Sequence, residues 1–170
     1  MNILSTIQGT IGEELSLLNR TLVEKLHTSN ELMNRIIDRY LLTKGKQIRP
    51  ILIMLCARMI DDITPTTILS AAAIELMHNA SLIHDDVIDT SLYRRGEPTI
   101  NAAEDNRMAI LMGDHFVSCA LQCGVETGKM AAEILLGNKS VSDIEIMTLT
   151  PTVVYNEELC GQLGITVPEN

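Results

Sequence analysis

The chain of 170 residues has no tryptophan, one phenylalanine and three tyrosines, set against nine methionines. A core built without large aromatic rings must be filled by Leu, Ile, Met and Ala, which is a helical palette. Basic residues are also scarce: 13 Lys and Arg face 22 Asp and Glu, for a formal net charge of -9. A nucleic-acid binder needs a basic stripe to grip phosphates, and none is present. The four cysteines, Cys56, Cys119, Cys123 and Cys160, form no CxxC pair, and "MNILSTIQGTIGEEL" lacks a basic stretch followed by an apolar run and a cleavage site. A cytoplasmic location is the expectation. No apolar run reaches about 18 uncharged residues, so no membrane span is expected. His115, Cys119 and Cys123 share a helical face at i, i+4 and i+8, a spacing that a metal could use; small buried side chains are the preferred reading.

What is present is helical periodicity. Ile3, Ile7, Ile11, Leu15, Leu18 and Leu22 predict a helix over Asn2 to His27. Ser29 or Asn30 caps a second helix, with Leu32, Ile36, Ile37, Tyr40 and Leu41 on its apolar side, and Gly45 in "TKGKQIRP" interrupts the pattern. Pro50 suits the first turn of "PILIMLCARMID", which is apolar nearly all round and therefore expected to be buried. Thr64 and Pro65 open a long segment, running to about Asp89, that is expected to be the central helix. "NAAE" at Asn101 to Glu104 predicts a capping box for a helix to about Cys123, with a shorter helix near Lys129 to Leu136. With no internal repeat and no alternating strand runs, the fold class is all-α. At this length one domain is the default, with roughly 70% of the unfolded surface buried on folding.

The chemistry gathers in "LIHDDVIDTSLYRRGEPTIN", Leu82 to Asn101. Asp85 and Asp89 lie one turn apart with Asp86 beside them, at a helix C-terminus that itself disfavours acids. Two carboxylates about 6 Å apart at an effective dielectric of about 20 repel by roughly 3 kcal/mol. Mg2+ would relieve this, because it accepts carboxylate oxygens and is completed by waters and substrate phosphates. Arg94 and Arg95, just beyond, could meet phosphate oxygens bidentately. The alternative is a solvated acidic helix end paired with those arginines. His78 lies seven residues before Asp85 on the same face, and Lys44, Lys46 and Arg49 form a second cationic cluster. Two cationic groups around one carboxylate set point to two anionic ligands.

From "GKQIRP" through "AAAIELMHNASLIHDDVIDTSLYRRGEPTIN" to "AILMGDHF", the chain resembles the trans-isoprenyl diphosphate synthases, or polyprenyl synthetases. The resemblance implies an isoprenoid-synthase-type antiparallel helical bundle. It implies that Asp85, Asp86 and Asp89 hold Mg2+ on the diphosphate of an allylic substrate that Arg94 contacts, and that Lys46, Arg49, His78 and Arg95 hold isopentenyl diphosphate. Product length in the family depends on bulk one turn below the first aspartate. Ala80 and Ser81, being small, imply a long-chain polyprenyl diphosphate, although small residues there also suit close helix packing.

Members of that family are about twice this length, and no second DDxxD follows Met130. Residues 1–136 are therefore read as the N-terminal half of the bundle and 137–170 as a divergent tail. Two functions follow: a prenyltransferase in a short form that is weak alone, or a non-catalytic partner of a complete synthase. Either implies a homodimer or heterodimer. A terpene cyclase is disfavoured by the second diphosphate set at "GKQIRP" and His78.

Overall fold

The computed structural model describes residues 9–43, 45–138 and 140. Helix α1, Gly12–Leu26, buries Leu15, Leu18, Leu22 and Leu26, which recur every three or four residues along one stripe. The predicted start of this helix at Asn2 lies outside the described residues. Asn30 caps α2, Glu31–Leu42, its side chain accepting from the amides of Leu32 at 2.9 Å and Met33 at 3.2 Å. Helix α3 spans Ile48–Ile60 and places Pro50 in its first turn.

Helix α4, Pro65–Ile88, begins with a capping box in which Thr64 and Thr67 exchange side-chain to backbone hydrogen bonds. It is the central helix, as its length and apolar content predicted. A two-residue hairpin follows, β1 (Tyr93–Arg94) against β2 (Glu97–Pro98). Arg95 and Gly96 form its turn, both with positive φ, 54° and 86°, the combination that matches the twist of a tight hairpin. The sequence showed only a connection here, because two residues cannot display an alternating pattern.

Two further differences concern helix ends. The expected capping box at Asn101 does not form. Thr99 caps a short helix α5, Ile100–Ala103, and Asp105 caps the long helix α6, Asn106–Leu135, by accepting from the Met108 amide at 2.7 Å. Asp105 offers a short carboxylate at a position where the backbone is extended, and this outcompetes "NAAE". The separate helix expected near Lys129 is the last part of α6.

The core lies between α4 and α6, flanked by α1 and α2, and includes Leu69, Ala72, Leu76, Ile83, Met112, Phe116 and Cys123. Helix α3 is not enclosed as expected. Ile51 and Met54 are buried while Ile48, Leu52, Met59 and Ile60 are exposed, because α3 packs along one side only, mainly on α4. Helix α6 is long and apolar enough by length and composition to cross a membrane, beyond what the search for uncharged runs anticipated. In this fold its inner side is packed on α4. Of the tail read as 137–170, all but Gly137, Asn138 and Ser140 lies outside the described residues.

Candidate functional site: an acidic helix end beside a basic pocket

The three aspartates divide between surface and interior. Asp85 and Asp89 are exposed at the end of α4, whereas Asp86 is buried. Both Asp86 oxygens are taken by Arg94: Nε donates to Oδ1 and Oδ2 at 3.0 and 2.9 Å, and Nη2 to Oδ1 at 2.7 Å. This forked pairing raises the Arg94 pKa, chiefly through the hydrogen bond to Asp86. Asp86 thus ties the hairpin to the helix, and of the expected ligand trio Asp85 and Asp89 are the two with open carboxylates. Helical geometry explains the split, since the intervening 100° turns Asp86 inward when Asp85 faces out. Among the described residues no three His, Cys, Asp or Glu side chains converge as a ready cation site. Two exposed carboxylates one turn apart still suit Mg2+, which commonly takes only one or two from the protein.

The cationic residues do converge. Lys46 and Arg49 from the start of α3, His78 from α4 and Arg95 from the hairpin turn line one open pocket, together with Gly45 and Glu75. Arg95 donates from Nη1 to the Thr43 carbonyl at 2.9 Å. Burial, then the neighbouring Arg49, Arg95 and Arg94, lowers the His78 pKa. Arg94 stands apart from this pocket, in an adjoining, more enclosed one with Tyr40, Ile83, Asp86 and Arg95.

Of the two small residues one turn before the acids, only Ser81 shares the exposed side with Asp85; its hydroxyl donates to the His78 carbonyl at 2.8 Å. Ala80 faces the core at 1% exposure.

Sequence reading passed over Glu75, Asn79 and Tyr40. Glu75 is buried beside the basic pocket, and desolvation raises its pKa against the opposing pull of Arg49 and Arg95. Tyr40 donates to Asn79 Oδ1 at 3.1 Å, packs edge-on against Phe116, and burial pushes its hydroxyl pKa up to about 12. A glutamate inside the apolar run "AAAIELM" was the available signal. His115, Cys119 and Cys123 follow the packing reading. His115 Nε2 meets the Leu26 carbonyl at 2.7 Å, and burial lifts both thiols to about 11.

A helical bundle with an acidic helix end beside a pocket of gathered cations defines the class. Residues 30–159 match the polyprenyl synthetase family, and the chain belongs to it. It is 29% identical over 166 residues to octaprenyl diphosphate synthase of Escherichia coli (strain K12), covering 98% of this chain and 48% of that one. It is 32% identical over 132 residues to heptaprenyl diphosphate synthase component 2 of Bacillus subtilis (strain 168), covering 77% and 38%. The polyprenyl synthase of Caulobacter crescentus CB15, solved with calcium and isoprenyl diphosphate, superposes with a TM-score of 0.70 at 25% identity over 79% of this chain and 41% of that one. The chain spans about half the length of the curated relatives it matches.

Proposed function

We propose that this chain carries the substrate-binding side of a prenyltransferase that joins isopentenyl diphosphate to an allylic diphosphate, with Mg2+ as cofactor. The observation that carries this reading is the convergence of Lys46, Arg49, His78 and Arg95, from three separate segments, in one pocket near the acidic end of α4. Lys46, Arg49 and Arg95 without an anion would repel one another, and a diphosphate is the ligand that satisfies them, with His78 able to donate a hydrogen bond to it. Isopentenyl diphosphate belongs in this pocket.

Asp85 and Asp89 would hold Mg2+, which supplies neutralising charge to the departing allylic diphosphate. The relative solved with calcium and isoprenyl diphosphate supports a divalent cation in this role. Arg94, held by Asp86, would add a fixed positive charge on the same leaving group. In the reaction the allylic carbon–oxygen bond breaks with its electron pair leaving on diphosphate, the isopentenyl double bond attacks the resulting cation, and a proton is lost. No side-chain nucleophile takes part, so the protein acts by positioning and by electrostatics. Ser81, small and on the same side as Asp85, favours a long-chain product, in keeping with the octaprenyl relative.

The test is Mg2+-dependent incorporation of labelled isopentenyl diphosphate into a longer allylic product. No incorporation by the chain alone, and none above that of the synthase when a complete synthase is added, would sink the catalytic reading. The second reading is a non-catalytic partner; a relative named as component 2 supports a synthase built from more than one chain. Asp85→Asn separates the two, since a subunit that only binds its partner would be indifferent to it. The catalytic reading goes with a homodimer or a heterodimer with another synthase subunit, the second reading with a heterodimer, and we place the chain in the cytoplasm.

A further inference from the structure

We propose that Gly45 is a positioning residue for the basic pocket: its missing side chain is the seat on which the Arg95 guanidinium rests. A Cβ placed on Gly45 would lie 2.6 Å from Arg95 Nη2, 2.8 Å from Cζ and 3.1 Å from Nη1. The first two are closer than real Cβ contacts come, and the third is tighter than most. The backbone gives no other reason for glycine there. Gly96 and Gly137 have positive φ among the described glycines, and Gly45 does not. An L-residue could follow the same path, so the glycine is explained by space and not by the turn.

The seat matters because of where Arg95 stands. Its side chain borders the open basic pocket and both enclosed pockets beside it. It leaves a turn residue held at φ 54°, and its Nη1 is anchored on the Thr43 carbonyl. With the guanidinium against Gly45, Arg95 lines the pocket together with Lys46 and Arg49. A methyl group at 45 would push the flexible end of the arginine off the carbonyl while leaving the backbone in place. The pocket would keep its charge and lose its geometry.

The proposal rests on the pocket being an anion site, and the experiment separates the two. Inorganic pyrophosphate binding to the full chain is measured by calorimetry for the wild type, Gly45→Ala, Arg95→Ala and the double variant, each checked by thermal melting. Gly45→Ala is expected to bind about tenfold more weakly, the loss of one charged hydrogen bond, with an unchanged melting temperature. The double variant is expected to bind no more weakly than Arg95→Ala alone. Wild-type affinity in Gly45→Ala, or losses that add in the double variant, would overturn the proposal. The Arg95 Nε–Hε resonance is read in the same samples. A shift in Gly45→Ala supports the seat even if pyrophosphate binds nowhere, an outcome that would overturn the anion-site reading instead; an unmoved resonance overturns the seat.

Discussion

At the scale of single residues, adjacent aspartates sit in opposite environments. The Asp86 carboxylate is 6% exposed and receives three hydrogen bonds from Arg94. Asp86→Asn should lower stability by about 1–3 kcal/mol, measured by urea unfolding, because a charged guanidinium loses its acceptor. Asp85→Asn should raise stability slightly, because a like charge at the helix C-terminus is removed, and weaken Mn2+ binding followed by paramagnetic resonance. His78 offers a titration. Its pKa lies below the ordinary 6.5 because burial and three arginines disfavour the imidazolium. The folded state therefore holds this proton less tightly than the unfolded chain, and His78's contribution to stability is lost as pH falls through the ordinary histidine range. A bound diphosphate opposes the arginines. The His78 resonances should titrate at higher pH once pyrophosphate is added, and an unchanged midpoint would place the anion elsewhere.

At the scale of elements, two contacts set how α6 meets its neighbours. A Cβ on Gly113 would overlap the ring of His84, the residue just before the acidic pair. His84 Nε2 also faces the Ile110 carbonyl and the Asp114 carboxylate, each at 3.4 Å. Replacing a mid-helix glycine by alanine ordinarily gains about 1 kcal/mol of helix propensity. Here overpacking should prevail, so Gly113→Ala should destabilise by about 1–3 kcal/mol, and His84→Ala in the same chain should recover much of the loss. On the other side of α6, Lys25 of α1 meets Glu126 at 2.8 Å with side-chain exposures of 8% and 1%. Glu126→Ala should cost about 3–5 kcal/mol by stranding the ammonium, whereas Lys25→Met with Glu126→Leu should be close to neutral. Denaturant unfolding of the two variants decides whether the pair stabilises the bundle or specifies its arrangement.

At the scale of the whole molecule, apolar side chains remain on the outside of three helices. Leu52 and Met59 on α3, Met77 and Ile88 on α4, and Leu111 and Leu121 on α6 are all exposed. Surface of this extent on one chain favours association. Sedimentation velocity should show mass rising with concentration, and Leu111→Glu with Leu121→Glu should shift the balance towards the monomer. A monomer at every concentration would rule out the dimeric reading for this chain.

The elements were legible in the sequence because their causes are local. Asn30 and Thr64 cap helices where a short polar side chain precedes a periodic run, and the central helix shows in its uninterrupted apolar spacing from Pro65. The aspartates, arginines and lysine of the site were legible as residue types at set intervals. Their division of labour was not. Which of three neighbouring aspartates turns inward depends on how α4 rotates against α6, and Arg94 reaches Asp86 only because a two-residue hairpin folds back. Gly45 read as a helix breaker until Arg95 was found lying on it. Periodicity and capping act within a few residues, so the sequence by itself determined the helices and the inventory of charges. Burial and long-range pairing depend on contacts between distant segments, and only the tertiary structure decided which charges meet.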